Sequence, residues 1–433
     1  MAATPSGETP PVAAARRVTR VVRAEGVIED AGPGAPSDER RAPGSLELFR
    51  VFFVVGLTAF GVAILQSVRT VVARRGWLSR EEVDEGVGLV QLYPGAMMVD
   101  LVAYIGYRTN RIRGTLSATA GFITPSLVMV LGLSWLYWTY GTRPGVADLV
   151  LGLDAIVVGV IASVTLDFAA QHAKGRVQAA LGLGAFAVGV AGASLLWAVL
   201  GALLVGALAL GGPESDAGAV VLAEKRAFSW RRVGLSAVPM LVVAGGVASA
   251  IVVGGSLAVL AADMAKIGTL AFGNGATILP VLRQDVVSAH HWLTPEQFAA
   301  GVGFGQATPG PVLMTAAFVG YHVAGWWGGI VAALAIFAPS VAMTTVAAEV
   351  YPHVRHLAWV RGAIRGIMAA FVGLLATVTL SLGRLVLPSP AALVMVAAAL
   401  VAVRVFRWNL LLVFGAGLAA WAIYLALGGA VGT

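Results

Sequence analysis

The decapeptide GVGLVQLYPG at residues 86–95 recurs as GVGFGQATPG at residues 301–310. The first three residues, the glutamine and the final Pro-Gly pair are identical, and both copies lie in strongly apolar sequence. Proline lacks an amide hydrogen and glycine weakens a helix interior, so each Pro-Gly pair predicts a break within an apolar helix. Duplicated apolar halves with interrupted helices are typical of secondary transporters.

Matches on both sides of the decapeptide keep their order and spacing. The shift stays between 212 and 215 residues for Gly56 and Gly268, Trp77 and Trp292, Gly106 and Gly320, and Pro125-Ser126 and Pro339-Ser340. Low-complexity similarity in glycine and alanine does not explain the aligned tryptophan, glutamine, tyrosine and proline residues. The chain therefore contains two copies of one unit.

Composition indicates a polytopic membrane protein. Hydrophobic residues make up 58% of the chain and charged residues 12%, whereas a soluble domain carries about 25% charged residues. The net charge of +7 does not indicate nucleic-acid binding, because the arginines lie in short loops between apolar stretches, where they orient helices. The chain has no cysteine, which excludes disulfides, thiolate catalysis and cysteine-ligated metals.

The chain divides into four parts. Residues 1–45 are polar and contain no apolar run, which predicts a disordered cytoplasmic tail. Residues 46–211 form the first repeat, residues 212–235 a charged linker, and residues 236–430 the second repeat. The second repeat includes one extra apolar segment, near residues 236–255, that has no partner in the first half.

Positive charge predicts that the two halves are inverted. In the first half arginines cluster after the first and second apolar segments, at residues 69–80 and 108–113. In the second half the corresponding loops are nearly free of them, and the other loops carry Arg355, Arg361, Arg404 and Arg407. Positive loops stay cytoplasmic. We therefore expect an all-α fold of two inverted repeats, with the N-terminus in the cytoplasm.

The sidedness of the loops predicts hairpins in the first half, because a segment between two cytoplasmic loops must cross the membrane an even number of times or not at all. If the N-terminal tail and the loops at 69–80 and 108–113 are all cytoplasmic, the segments at 46–67 and 85–106 enter and leave on one side. They would be re-entrant hairpins that turn near Gly61 and near Pro94-Gly95. Such turns are tolerated where the exposed backbone is buried in protein or lines a cavity. Kinked spanning helices are the alternative.

The Pro-Gly breaks are the candidate binding elements. The run from Thr308 to Pro311 stops one helix and starts another, whose free N–H groups and dipole favour an anion. Tyr93-Pro94-Gly95 predicts the same for the first half, and inversion brings both breaks near the membrane midplane. Gln91 and Gln306 precede the breaks by three residues and can bond either a substrate or broken backbone. Helix kinks that serve only packing are the alternative.

Ionisable residues within apolar stretches are few and are functional candidates by default. Lys266 lies two helical turns before Gly273 and is a candidate anion ligand. Asp100 lies one and a half turns past Gly95 and is a candidate proton carrier. For Asp154, Asp167 and Asp263 we expect positions near segment ends with access to water.

Two further motifs predict structure rather than chemistry. Ser79 with Glu82, and Thr294 with Gln297, fit capping boxes that start the helices leading into each break. The preceding residues, Trp77 and Trp292, are expected to anchor at the membrane interface. The loop histidines show no metal-binding spacing.

The second half resembles the chromate ion transporter family in its long, two-domain form. The residues that carry the resemblance are Lys266-Ile267-Gly268, Phe272-Gly273-Asn274-Gly275, Trp292-Leu293-Thr294, Gln306 to Pro311 and Thr315 to Tyr321. The resemblance covers roughly residues 46–430 and implies an inner-membrane protein that moves chromate, a sulfate-like oxyanion, outward on an ion gradient. In the first half this chain has Val54 where the family commonly has a basic residue, and Asp100 where it often has glutamine.

These observations predict a secondary active transporter of a small oxyanion. The expected substrate-binding residues are Lys266, Asn274, Gly275, Gln306, Thr308, Pro309, Gly310 and Thr315 with Gln91, Pro94 and Gly95, and Asp100 is the proton-coupling candidate. A different small ion on the same scaffold and a passive anion channel stay open as alternatives. The sequence shows no hydrolase or metalloprotease motif, so we expect no enzyme, cofactor, metal or nucleic-acid partner. The expected partners are the oxyanion, the lipid bilayer and, as an open alternative, a second copy of the chain.

Overall fold

The computed structural model describes residues 42–58, 63–90, 93, 95–141, 146–193, 195–211, 230–271, 276–354 and 358–428. These residues form helices and short connections, and they contain no strand. The all-α fold predicted from the sequence is confirmed. The predicted tail, apart from its last few residues, lies outside the described residues, as does most of the predicted linker.

Among the described residues each half contributes seven α-helices, and one further α-helix lies between the halves. The first half has α1 (Ser45–Thr58), α2 (Ala63–Arg74), α3 (Arg80–Val90), α4 (Met97–Tyr140), α5 (Val146–His172), α6 (Arg176–Val190) and α7 (Leu195–Ala209). The extra helix is α8 (Trp230–Val253). The second half has α9 (Ser256–Gly268), α10 (Leu279–Arg283), α11 (Pro295–Ala307), α12 (Thr315–Val354), α13 (Ala358–Val386), α14 (Pro390–Arg404) and α15 (Leu410–Ala426).

The helices on either side of each break form antiparallel hairpins. In the first half, Arg108 Nη2 lies 3.0 Å from Glu82 Oε1, and Gly86 packs against the ring of Tyr104. The bases of α3 and the first part of α4 are therefore adjacent, and the break is at the tip. Gly301 packs on Phe318 in the same way in the second half. Each break is therefore the tip of a hairpin rather than a kink in one helix, and entry and exit on one side of the membrane stays a prediction.

The other two hairpins are held at their bases by ion pairs. In the first half Arg75 Nη1 lies 2.8 Å from Glu47 Oε1. In the second half Lys266 Nζ lies 2.6 Å from Asp285 Oδ2. The expected turn near Gly61 falls outside the described residues.

The long helices α4 and α12 each contain a sharp turn at equivalent positions. Asn110 and Arg111 have φ/ψ of −143°/34° and 51°/−144°, and Ala324 and Gly325 have −150°/33° and 60°/−148°. Each turn folds a short helix back on a long one, and close approach of Gly106 to Gly114 makes this contact in the first half. The near-identical dihedrals show that the two repeats share one backbone fold.

Contacts between the halves show that the repeats are inverted. Near the start of the long part of α4, Arg111 Nη1 lies 2.9 Å from Glu349 Oε1, which is near the end of α12. Near the start of the long part of α12, His322 stacks on Trp138, with ring centroids 4.1 Å apart, near the end of α4. Equivalent helices therefore run in opposite directions, as the arginine pattern predicts.

The remaining helices interlock the two halves. Gly373 of α13 packs on Gly182 of α6, and Gly159 of α5 packs on Val396 of α14. Each half therefore places its last helices on the other half. Within the described residues, four helical segments are long and apolar enough to cross a membrane, namely 97–140, 148–172, 312–350 and 358–384.

Both predicted capping boxes are present. The Ser79 N–H donates to Glu82 Oε2 at 2.8 Å and the Glu82 N–H donates to Ser79 Oγ at 3.2 Å. Thr294 and Gln297 make the same pair of bonds at the start of α11. The interfacial position expected for Trp77 is wrong, because its side chain is 6% exposed and packs on Phe52.

Candidate functional site

The second-half break lies between α11 and α12. The helix α11 ends at Ala307, Thr308 is extended with φ −85° and ψ 147°, and Gly310 has φ 112°. This positive φ is in the region that favours glycine. The chain restarts as one 3-10 turn at Val312–Met314, and the α-helix begins at Thr315. The restart predicted near Pro311 is confirmed.

This break packs against the middle of α4 from the other repeat. Thr308 Oγ1 lies 3.4 Å from Ser126 Oγ, and it also lies 2.9 Å from the carbonyl oxygen of Phe304, to which it donates. A Cβ built on Gly310 would lie 2.9 Å from Ser126 Cβ. Thr308 and Ser126 are buried. The break is therefore enclosed between the repeats, with hydroxyl groups on both walls.

Gln306 adds an unused donor beside this break. Its side chain is 4% exposed, and Nε2 is buried without a hydrogen-bond partner among the described residues. A buried donor left unsatisfied costs about 1–3 kcal/mol. Thr315 is also buried, but its hydroxyl donates to the Val312 carbonyl oxygen at 2.9 Å. Gln306 is thus the group at this break that is ready to donate to an anion.

The first-half break has different chemistry in the equivalent place. Tyr93 Oη lies 2.6 Å from Thr344 Oγ1 on α12. Asp100 is fully buried and covers Gly95, and a Cβ built on Gly95 would overlap Asp100 Oδ2. The Ser340 and Thr344 hydroxyls face Asp100.

Those hydroxyls do not satisfy the carboxyl group. Ser340 Oγ donates to the Phe337 carbonyl oxygen at 3.2 Å, and Thr344 Oγ1 donates to the Ser340 carbonyl oxygen at 2.9 Å. Within the part of the chain that the structure describes, neither oxygen of Asp100 has a hydrogen bond of good geometry. An ionised carboxylate buried in this way is strongly unfavourable.

The structure adds three residues to the predicted site. Ser126, Ser340 and Thr344 form the walls against which the two breaks pack. Ser126 and Ser340 are equivalent in the two repeats, and both follow a proline. The repeated Pro-Ser pair was the sequence signal for them, but it carries no information on which segment each serine contacts.

Lys266 lies in an ion-pair cluster at the base of its hairpin. Its Nζ is 2.6 Å from Asp285 Oδ2 and 3.4 Å from Asp263 Oδ1, and its side chain is 55% exposed. His290 Nε2 lies 2.7 Å from Asp263 Oδ2. Two carboxylates therefore balance the charge of Lys266. This weakens the argument for Lys266 as an anion ligand, which stays a prediction.

The other predicted carboxylates divide by exposure. Asp154 is 3% exposed and its Oδ1 has no partner among the described residues, so the water access expected for it is wrong. Asp167 is exposed and pairs with Arg404 at 2.8 Å, as a position at a helix end predicts. Gln91, Pro94, Asn274 and Gly275 lie outside the described residues. No group of three metal-ligating side chains occurs in the described segments.

The fold and the enclosed breaks define a polytopic membrane transporter built from two inverted repeats. The chain belongs to the chromate transporter family, whose model matches residues 46–210 and 258–422.

Alignments with several related proteins span most of the chain. A chromate transport protein of Cupriavidus metallidurans is 30% identical over 76% of this chain and 80% of its own length. One of Pseudomonas aeruginosa is 27% identical over 87% and 92%. An uncharacterized transporter of Methanocaldococcus jannaschii is 26% identical over 81% and 87%. No solved structure is significantly similar to this chain.

Proposed function

We propose that this protein is a secondary active transporter that exports chromate, with sulfate as a competing analogue, across the cytoplasmic membrane. The N-terminus and the arginine-rich loops would lie in the cytoplasm. The chromate transport proteins among its relatives support the substrate. The observation that carries the proposal is the pair of helix breaks, each buried against the long helix of the other repeat.

The second-half break supplies groups that suit an oxyanion. Gln306 Nε2 is a buried donor without a partner in the described chain, and a helix start such as that of α12 has free N–H groups. The Thr308 hydroxyl, which donates to the Phe304 carbonyl oxygen in this structure, would turn to the anion when it binds. Donors of this kind, at a helix N-terminus, favour negative charge without a full positive charge in the pocket. Because no fixed cation holds the anion, binding is weak enough for the anion to be released, which a transport cycle requires.

Asp100 at the first-half break is the proposed coupling group. A carboxylate at this place has no donor among the described residues, so the closed state favours a bound proton over a buried charge. Opening the break between the repeats would let water reach Asp100 and release that proton. Movement of one repeat against the other, which is the usual motion of such folds, would then link the proton to the anion.

Transport in everted membrane vesicles tests the proposal. We expect saturable chromate uptake that sulfate inhibits and that an imposed proton gradient drives. Gln306→Leu and Thr308→Val should each reduce uptake about tenfold or more at equal expression, since a hydrogen bond to a charged group contributes about 1.5–3 kcal/mol. Asp167→Asn is the matched control, because Asp167 is exposed in a surface pair.

The alternatives give different results in the same vesicles. A passive channel would show flux that ignores the proton gradient. A transporter for another ion would show no saturable chromate flux and no effect of sulfate. Normal saturable uptake in both Gln306→Leu and Thr308→Val would contradict the binding site.

A further inference from the structure

A small cavity with a mixed polar and apolar lining lies outside the two breaks. It has a volume of about 70 Å³ and lies between α6, α10 and α13. Its polar lining comes from Arg283, Gln284, Ser288, Thr377 and Ser381. A single water needs roughly 10–15 Å³, so this cavity holds a small polyatomic ion or a few waters.

Among the described residues that line this cavity, Arg283 is the one with a charged side chain. The guanidinium is partly buried, and Nε is buried without a hydrogen-bond partner in the described chain. Among the described residues Arg283 makes no ion pair. The nearest carboxylate along the chain, Asp285, is engaged with Lys266 at 2.6 Å.

A partly buried arginine that lacks a counter-ion is costly in an apolar protein. The planar guanidinium group presents N–H donors in a geometry that can bind two oxygens of an oxyanion at once. On the facing wall the Ser381 hydroxyl adds a donor, whereas the Thr377 hydroxyl donates to the Gly373 carbonyl oxygen at 3.1 Å.

The cavity lies next to connections on the side opposite to the arginine-rich loops. Gln284 Nε2 donates to the Ala193 carbonyl oxygen at 3.2 Å, which joins the base of the second-half hairpin to the turn after α6. The connections at 191–195 and 284–294 contain no arginine or lysine, and the end of α13 beyond Ser381 contains one arginine, Arg384, whereas the loops at 69–80 and 108–113 contain four and three arginines. The positive-inside rule places these three connections outside the cell.

We propose that this cavity, the Arg283 site, binds a small tetrahedral oxyanion on the outer face of the protein, separately from the break at Thr308. The proposal rests on the proposed function, since it takes the transported type of anion as its ligand. Arg283 binds the anion through its guanidinium, and Ser381 contributes a hydroxyl. An anion held here lies on the exit side of the exporter.

Site-specific labelling tests the Arg283 site without any need for transport. The chain has no cysteine, so Ser288→Cys, which lies at the exposed rim, supplies a single thiol. In right-side-out vesicles, we expect an anionic, membrane-impermeant methanethiosulfonate to react faster than its cationic analogue, and sulfate to slow the reaction. Adding Arg283→Gln should reduce the preference for the anionic reagent about tenfold and abolish sulfate protection.

Two further variants separate charge from folding. Arg283→Lys keeps the positive charge and should retain part of the anionic preference. Arg384→Gln removes an exposed arginine near the end of the same wall helix that does not line the cavity, and it should leave labelling and protection unchanged.

Labelling that is indifferent to sulfate and to Arg283→Gln would overturn the Arg283 site, whether or not the vesicles transport chromate. Sulfate protection that depends on Arg283, in a protein that shows no chromate flux, would uphold this site and contradict the proposed function. If Arg283→Gln fails to reach the membrane, the sulfate effect on Ser288→Cys and on its Arg283→Lys double variant decides the question.

Discussion

Gly310→Ala tests whether the second-half break requires glycine at this position, for its backbone conformation and for its close packing against Ser126. Two costs follow from the structure. The residue has φ 112°, and a non-glycine residue in such a region costs about 1–3 kcal/mol. The new Cβ would also lie 2.9 Å from Ser126 Cβ and 3.2 Å from Ser126 Oγ, and an extra methyl group in a packed core costs about 1–3 kcal/mol.

One term opposes these costs. Alanine restricts the unfolded chain more than glycine does, which stabilises the folded state by about 0.4–1 kcal/mol. We therefore expect Gly310→Ala to lower the free energy of unfolding by about 2–4 kcal/mol. Equilibrium unfolding in mixed micelles measures this change. A variant within about 0.5 kcal/mol of the parent would refute the reasoning.

A double-mutant cycle with Ser126→Gly separates the two costs. Removing the Ser126 side chain relieves the overlap but leaves the backbone strain, so the coupling energy should be about 1–3 kcal/mol. Gly132→Ala is the control, because Gly132 lies in the long part of α4 with open space around its Cα. It should stabilise the protein by about 0.5–1 kcal/mol.

Three further changes test other parts of the account. Glu349→Gln weakens the hydrogen bonds that Glu349 accepts from Tyr107 and Arg111, both 2.9 Å long. It should lower the free energy of unfolding by about 1–3 kcal/mol. A change as small as that of Asp167→Asn, which alters an exposed ion pair, would contradict a role for Glu349 in joining the repeats. Gly325→Ala adds no clash but places alanine at φ 60°. Unfolding measurements should therefore show a free energy of unfolding lower by about 0.5–2 kcal/mol. A higher free energy of unfolding would show that the turn is not strained. Asp100→Asn should leave the protein folded but uncouple chromate flux from the proton gradient, and flux that still follows the gradient would remove Asp100 from the mechanism.

Much of the fold follows from patterns that are local in sequence. Proline and glycine disrupt the helix in which they lie, so the break after Ala307 could be placed without a structure. The capping boxes at Ser79 and Thr294 are equally local, since donor and acceptor are three residues apart. Inversion was readable as well, because loop arginines report the side of the membrane directly.

Contacts between the repeats were not readable in the same way. Nothing in the sequence places Ser126 beside Thr308, since the contact joins residues 182 positions apart. Lys266 and Asp263 are three residues apart and predict a pair, but the shorter bond to Asp285 depends on how the hairpin closes. The turn at Arg111 was also hidden, because an arginine at φ 51° gives no local signal. Its glycine counterpart, Gly325, was the available clue.

The two breaks share a backbone plan but not a chemistry, and this difference bears on how such a protein does work. One break offers neutral donors from Gln306 and Thr308, and the other holds the carboxyl group of Asp100. A perfectly symmetric pair would bind the same ion twice and would have no group to couple it to a gradient. Because the repeats are inverted, one rocking motion alters access to both breaks. Under the proposed function, divergence at a few residues is therefore sufficient to give one half the anion site and the other half the proton carrier.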